Sequence, residues 1–267
     1  MAVPRTIMPT MTTDKVTSSA GGPSKYLNMV HQELKPGRNT EYEKQLAAIA
    51  KGFAQAQIGA YWVEFGFPQE KTLAFNMFDS LAEQDTIMSA LGSGYAANPD
   101  LVEMADHLLS ENVSKVESTL GKRIDDLGYR WDAIDFSKAR ILLVNSIAVW
   151  PGYELEFAEA DRERAAAYER SNVGKEWVVY EALYGYRQPT FVALTPYASF
   201  QQMEESIASE QAIESFHGGT MATRIRELAR TAYAGVESLV YLVNPNCSYV
   251  PAAFAAGDPE FWVNKSR

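Results

Sequence analysis

The chain has 267 residues, of which 46% are hydrophobic and 22% are charged, a composition typical of soluble globular proteins. Its 24 basic and 34 acidic residues give a formal net charge of −10. This charge disfavours nucleic acid and membrane surfaces as partners, because the long-range field repels phosphate backbones and anionic lipids. The single cysteine, Cys247, excludes an internal disulfide and a cysteine-based metal cluster.

The first 24 residues are rich in Ser, Thr, Pro and Gly and lack the apolar core of a signal peptide. We expect them to form a flexible arm. No apolar run approaches the roughly 20 residues that span a bilayer. The sequence therefore predicts a cytoplasmic protein.

The first half of the remaining chain alternates between strand and helix patterns. Strands are indicated by alternating apolar residues, and helices by apolar residues at a spacing of three or four. Gly92-Ser93-Gly94 predicts a break in the second helical region. The predicted elements in order are a strand over 26–34, a helix from about 39 to 57, strands over 61–67 and 72–78, helices over 80–91 and from 99, and a strand over 115–123.

The second half repeats this order. Pro36-Gly37 and Pro151-Gly152 lie 115 residues apart, and each follows a strand pattern and precedes an amphipathic helix pattern. At the ends of the halves, the Val-Glu-Ser sequences at 116–118 and 236–238 lie 120 residues apart. The matched order indicates a duplicated domain.

Each half reads β-α-β-β-α-β, the pattern of ferredoxin-like domains. Each predicted sheet would expose apolar residues on the face away from its helices, so the two sheets are expected to pack together. The predicted fold is α+β, with two tandem ferredoxin-like repeats forming an intrachain eight-stranded α/β barrel. The expected divisions are an arm over 1–24, repeats over 25–136 and 137–250, and a tail over 251–267 that packs on the surface.

The strand, Pro-Gly and helix unit and the element order resemble the dimeric α/β-barrel superfamily over about residues 25–250. That superfamily includes antibiotic-biosynthesis-type monooxygenases, stress-responsive barrel proteins, and chlorite dismutase with its haem-binding relatives. NIPSNAP-like proteins look most similar, since their first strand also runs into Pro-Gly. The shared motif is structural and transfers no catalytic residue.

The resemblance implies a small hydrophobic or aromatic ligand inside the barrel, with no cofactor and no metal, and it allows further pairing into a homodimer. If the protein is an enzyme, the resemblance implies cofactor-independent oxygenation or isomerisation. One alternative is a haem-binding protein similar to the chlorite dismutase group. Another is a non-catalytic scaffold whose acidic helical surface meets a protein partner.

The strand over 61–67 supplies the first candidate site residues. Its apolar face (Tyr61, Val63, Phe65 and Phe67) is expected to meet the helices, so that Trp62 and Glu64 point into the barrel. Glu64 among apolar neighbours would have a raised pKa and act as a general acid or base, with Trp62 as an apolar wall. The structural alternative is a solvated or ion-paired carboxylate without chemistry.

Other polar residues on strands extend the candidate set. His31 and Glu33 share one face of the first strand, where histidine could transfer protons and the carboxylate could fix its tautomer. The pattern leaves open whether that face lines the barrel. Asn76, Tyr180 and Tyr184 are further candidates for ligand contacts, although tyrosines on packed sheets are usually core residues.

The remaining histidines and the cysteine offer weaker signals. His217 precedes Gly218-Gly219 at a helix end and is the position at which the haem alternative would place an axial ligand. His107 lies on a predicted helix, and the three histidines show no metal-ligand spacing. Cys247 lacks a partner pattern for nucleophilic catalysis and is expected to be a small buried residue.

Overall fold

The computed structural model describes residues 21–67, 70–171, 175–216 and 220–263. The first repeat contains four strands and three helices. They are β1 (Tyr26–Leu34), α1 (Asn39–Ala56), β2 (Val63–Phe67), β3 (Lys71–Phe78), α2 (Leu81–Ala97), α3 (Pro99–Asn112) and β4 (Val113–Tyr129).

The second repeat follows the same order, and two short helices form the tail. The elements are β5 (Ile141–Val149), α4 (Glu154–Ser171), β6 (Trp177–Tyr184), β7 (Thr190–Tyr197), α5 (Phe200–Phe216), α6 (Thr220–Thr231), β8 (Tyr233–Val243), α7 (Ala252–Ala255) and α8 (Pro259–Val263). None of the helices in these described ranges is long and apolar enough to cross a membrane.

The eight strands form one closed antiparallel ring in the order β1-β3-β2-β8-β5-β7-β6-β4. Each repeat contributes four consecutive strands, and the β2–β8 and β4–β6 pairs join the halves. The architecture is therefore the mixed α+β arrangement of eight strands that the duplicated pattern predicts.

The repeated Pro-Gly pairs have a conformational role. Gly37 and Gly152 have φ angles of +73° and +97°, in the left-handed region that favours glycine. Each glycine redirects the chain from the end of β1 or β5 into a helix of 18 residues. The motif is thus a structural joint in both repeats.

The helix break predicted at residues 92–94 is wrong. Helix α2 runs through these residues to Ala97. A Cβ atom on Gly94 would lie 2.8 Å from the Ile58 side chain, so glycine allows a close approach between α2 and the segment before β2. The glycine answers a packing requirement, which a local sequence pattern cannot distinguish from a helix stop.

Apolar side chains from both repeats fill the inside of the ring. The predicted orientation of β2 is wrong, because Val63 and Phe65 lie in this interior cluster and Trp62 and Glu64 face the helices. Tyr61, which precedes β2, does lie with the helices, as predicted. The Phe67 side chain lies outside the described part of the chain. Because strands enclose the interior of the ring, the more continuous apolar face of β2 points into it. Its strand residues include Leu27, Met29, Phe65, Phe75, Met77, Tyr180 and Tyr241.

The tail contributes to the same interior. Phe254 and Trp262 are each only 2% exposed and belong to the interior cluster, together with Phe136 from the connection between the repeats. Trp262 Nε1 donates a hydrogen bond to the Ser137 carbonyl at 2.7 Å. Within the described tail only Phe254 and Trp262 are buried, so two side chains anchor a segment that is otherwise largely exposed.

Candidate functional site

A cavity of about 320 Å³ lies between the sheet of the first repeat and helices α1, α2 and α3. It borders solvent where Met88 of α2 and Leu109 of α3 are 55% and 41% exposed. Its walls are mainly apolar and aromatic, which suits an apolar ligand. The main apolar and aromatic lining residues are Leu46, Ile49, Phe53, Tyr61, Trp62, Ile87, Leu91, Tyr95 and Leu108.

The strand pleat determines which polar groups reach this cavity. Successive side chains of a strand point to opposite faces. Leu27 and Met29 of β1 therefore fill the ring, whereas Asn28 lines the cavity. On β3, Asn76 also faces the cavity, and its Oδ1 accepts a hydrogen bond from Asn28 Nδ2 at 3.1 Å.

Glu64 of β2 is the buried carboxyl of the cavity, with 2% of its surface exposed. The Tyr42 hydroxyl on α1 donates a hydrogen bond to Glu64 Oε1 at 3.1 Å. The Tyr42 hydroxyl also lies 3.3 Å from Thr72 Oγ1 on β3. We refer to Tyr42, Glu64 and Thr72 as the polar trio.

The backbone of Glu64 is held by the segment that follows β8. Its N–H donates to Ser248 Oγ at 2.8 Å, and its carbonyl accepts from the Asn244 N–H at 2.8 Å. These two hydrogen bonds fix the strand on which the carboxyl is carried. The second half of the chain therefore positions a residue of the first-repeat cavity.

Burial raises the pKa of the Glu64 carboxyl from 4.5 to about 8. Hydrogen bonds from Tyr42 and Thr72 lower the pKa, and the nearby Glu43 charge raises it, but loss of hydration is the largest influence. A carboxyl with this pKa exchanges its proton near neutral pH. Such a group is suited to general acid or base catalysis.

The second repeat carries apolar residues in place of the polar trio. With the 115-residue offset, Tyr42 corresponds to Phe157, and Glu64 corresponds to Val179. In the ladders, Glu64 pairs with Ala74 and Val179 pairs with Ala193. Thr72 and Phe191 each lie two residues before those alanines, so they also correspond.

In the second repeat, the rings of Phe157 and Phe191 stack with centroids 4.1 Å apart. The same fold is thus built there without a carboxyl at the position of Glu64. Burying a carboxyl costs free energy unless its polar atoms are satisfied. The polar trio is therefore a feature of the first repeat and not a requirement of the fold.

Trp62 lines the same cavity as Glu64. Its ring makes edge contacts with Phe53 and Tyr249 at centroid distances of 5.1 and 5.8 Å. Its Nε1 donates a hydrogen bond to the Cys247 carbonyl at 2.8 Å. Trp62 can therefore serve as an aromatic wall, as the sequence predicts, although in the sheet–helix cavity and not inside the ring.

His31 belongs to a different cavity. It lies on the inward face of β1, and its Nε2 is 3.1 Å from the Tyr186 hydroxyl, which in turn accepts from Ser146 Oγ at 3.2 Å. Burial lowers the pKa of His31. Its cavity of about 210 Å³ also includes Glu33. The two predicted proton-transfer residues, His31 and Glu64, thus lie on opposite faces of the sheet and cannot act together.

The two tyrosine candidates lie outside the first-repeat cavity. Tyr180 is fully buried inside the ring, where its hydroxyl donates to the Ser24 carbonyl at 3.1 Å. Tyr184, at the end of β6, is 71% exposed. Tyr180 therefore contributes to the interior, and Tyr184 is a surface residue.

The sequence pattern does not mark Tyr42 and Thr72 as site residues. Tyr42 fits the apolar stripe of α1, and Thr72 begins a strand pattern. Alignment of the repeats would have identified Tyr42, because a phenylalanine occupies its counterpart. Thr72 becomes visible only with the ladder pairing, because the two hairpin loops differ in length.

The remaining candidates add no metal or haem ligand to this cavity. His107 is exposed on α3, with ring nitrogens 3.7 and 3.5 Å from Glu103 and Glu111. His217 lies outside the described residues. In the part of the chain that the structure describes, no group of three or more potential metal ligands occurs. Cys247 is buried, as predicted.

The raised pKa of Glu64 should make stability fall with pH. Between pH 4.5 and about 8 the folded protein holds a proton that the unfolded chain has released, so raising the pH favours unfolding. From pH 6 to pH 9 we expect the free energy of unfolding to fall by about 2–3 kcal/mol through this group. Urea unfolding at several pH values would measure it.

The Glu64→Gln variant is the control, because its amide keeps the side-chain volume and does not ionise in this range. The difference in unfolding free energy between wild type and this variant isolates Glu64 from other titrating groups. Parallel pH profiles for the two proteins would contradict the raised pKa.

Only solved structures show a similarity to this chain. No protein-family model matches the sequence, and no curated protein matches it. A proposed monooxygenase from Lactobacillus acidophilus NCFM aligns with a TM-score of 0.49 and 8% identity, covering 82% of this chain and 93% of that one. An anthrone oxidase-like protein aligns with a TM-score of 0.49 and 15% identity, covering 83% and 92%.

Chlorite dismutase from Candidatus Nitrospira defluvii in complex with imidazole aligns with a TM-score of 0.46 and 10% identity, covering 91% of this chain and 95% of that one. Likeness at these identities and TM-scores assigns neither a family nor an activity. The resemblance to NIPSNAP-like proteins stays a prediction from the sequence.

Proposed function

We propose that the first-repeat cavity binds a small hydrophobic or aromatic molecule and that Glu64 exchanges a proton with it. One observation carries this proposal: a buried carboxyl with a pKa of about 8 lines an apolar cavity, and its counterpart in the second repeat is Val179. A residue needed only for folding would not have to be ionisable at this position.

The geometry suits a ligand with an acidic O–H or C–H group. Aromatic walls such as Trp62 and Phe53 would hold a flat apolar body, while the polar trio lies at one side of the cavity. In its ionised form Glu64 would accept the ligand's proton, and Tyr42 would stabilise the carboxylate by its hydrogen bond. Asn28 and Asn76 offer further hydrogen bonds to an oxygen of the ligand.

Such proton abstraction would leave an enolate or phenolate in the cavity. Return of the proton to another carbon of the enolate would complete an isomerisation. Reaction of the electron-rich anion with molecular oxygen would begin an oxygenation. Both reactions belong to the cofactor-independent class that the sequence resemblance implies, and the polar trio supplies the proton-transfer step for either.

The other predictions from the sequence receive less support from this site. The haem alternative needs a histidine ligand, and the described lining of the first-repeat cavity contains neither histidine nor cysteine. The scaffold alternative gives no reason for a carboxyl at position 64, since the second repeat folds with Val179 there. A cytoplasmic location and pairing into a homodimer stay predictions.

Binding of 2-naphthol and of its methyl ether, 2-methoxynaphthalene, tests the proposed site. The two compounds share an aromatic body, but only the naphthol can donate a hydrogen bond to Glu64. We expect ligand-detected NMR to show that the wild type prefers 2-naphthol by about tenfold.

The Glu64→Val variant, which installs the residue found in the second repeat, should lose this preference. Arg164→Ile, on α4 of the second repeat and outside the lining of the first-repeat cavity, should retain it. Equal affinities for the two compounds in the wild type, or an unchanged preference in Glu64→Val, would contradict the proposal.

A further inference from the structure

A second cavity, of about 410 Å³, occupies the equivalent place between the sheet and helices of the second repeat. Its chemistry differs from that of the first-repeat cavity. Four charged residues line it, at positions where the first repeat has only apolar residues. The pairs are Asp161 with Leu46, Arg164 with Ile49, Lys175 with Ala60, and Glu210 with Leu91.

These correspondences follow from the landmarks of the repeat. The 115-residue offset of the Pro-Gly pairs also relates Trp62 to Trp177, so it covers the helix and the start of the second strand. Ser80 and Ser199 each accept a hydrogen bond from the backbone N–H three residues later, which aligns α2 with α5. The two cavities therefore differ at two sets of positions: the first has the polar trio where the second is apolar, and the second has four charged residues where the first is apolar.

Three of the four charged residues are engaged by the protein itself. Asp161 accepts hydrogen bonds from the Gly128 N–H at 2.7 Å and from Trp177 Nε1 at 3.1 Å, one on each carboxylate oxygen. Its role is to hold β4 and β6 against α4. Lys175 pairs with Glu210 at 3.2 Å, which leaves that carboxylate partly neutralised.

Arg164 is different. It is half-buried and lines the second cavity, and in the described part of the chain no carboxylate oxygen lies within 4.0 Å of its side-chain nitrogens. A guanidinium group presents five N–H donors in a planar fork that matches a carboxylate. The same lining holds Lys175, which is paired with Glu210. Against the effect of burial, Arg164 lowers the pKa of both Asp161 and Glu210 through its charge.

Apolar residues form the rest of the second cavity. They come from β5, α4, β7 and β8, and Asn145 and Ser238 add neutral polar groups. The apolar lining residues are Leu143, Ile147, Phe157, Ala160, Ala193 and Val236. A site that combines a cation with apolar walls is complementary to a molecule that carries an anionic group on an apolar body.

We propose that the second-repeat cavity is a separate binding site for a small carboxylate with an apolar or aromatic body, and that Arg164 recognises the carboxylate group. This site does not depend on Glu64 or on the reaction proposed for the first repeat. The chain then holds two sites of different chemistry, one in each copy of the duplicated domain.

The probes 1-naphthoate and its neutral amide, 1-naphthamide, test this site at pH 7.5 by ligand-detected NMR titration. The wild type should bind the carboxylate about tenfold more tightly than the amide, because a charge-assisted contact to Arg164 is available only to the carboxylate. Failure of the wild type to discriminate between the two probes, or to bind either, would overturn the proposal.

Arg164→Ile installs the residue of the first repeat and should abolish the preference for the carboxylate. Arg164→Lys keeps the charge without the planar fork and should reduce the preference severalfold. This variant tests the role of Arg164 if the isoleucine variant does not fold. Glu64→Val should leave the preference intact, which separates this site from the first-repeat cavity. A preference that survives in both Arg164 variants would overturn the assignment.

Discussion

Replacing Glu64 with glutamine should slow protein-catalysed enolisation of a bicyclic ketone by a factor of 10² to 10⁴, about the contribution of a positioned general base. The probe is 2-tetralone, whose flat apolar body carries an acidic C–H between the ring and the carbonyl. Exchange of that hydrogen for deuterium, followed by proton NMR, reports proton abstraction. The expected loss arises because the amide of glutamine cannot accept the proton.

Two variants make this result specific. Arg164→Ile alters the second-repeat cavity and should exchange deuterium at the wild-type rate. Tyr42→Phe removes the hydrogen bond to Glu64 but keeps the ring, as Phe157 does in the second repeat. It should reduce the rate by less than Glu64→Gln, because the base itself remains.

Replacing Trp262 with alanine should lower the free energy of unfolding by roughly 3–5 kcal/mol. The indole is 2% exposed, contacts Phe254 at a ring distance of 5.2 Å, and donates to the Ser137 carbonyl. Its removal would leave an empty volume in the interior and an unpaired carbonyl oxygen. Equilibrium unfolding in urea would measure the loss.

Val263, the next residue of α8, provides the control, since it is 68% exposed. Val263→Ala should change stability by no more than about 0.5 kcal/mol. A loss below about 1 kcal/mol for Trp262→Ala would contradict an anchoring role for this side chain.

The order of the elements could be predicted because its signals are local and occur twice. Pro36-Gly37 and Pro151-Gly152 mark equivalent joints, and alternating apolar residues mark the strands on either side. The helix break at residues 92–94 was wrong because a glycine that permits close packing on Ile58 resembles one that ends a helix. Local patterns report backbone preferences, whereas packing against another element depends on the fold.

The orientation of the site residues could not be predicted in the same way. Alternation in β2 separates Glu64 from Val63 and Phe65, but both faces of the strand are covered, one by the other strands and one by helices. The sequence alone does not show which face of β2 points into the ring and which face packs against the helices. The polar trio also joins three elements, and the part played by Tyr42 depends on the position of α1 over the sheet.

The pH profile of deuterium exchange into 2-tetralone tests the role of Glu64 most directly. After subtraction of the rate with Glu64→Gln, the wild-type rate should rise with pH, with a midpoint near the Glu64 pKa of about 8, because only the ionised carboxyl accepts a proton. Identical rates for the two proteins at every pH, or a difference that is already constant below pH 6, would contradict a proton-transfer role for a buried Glu64.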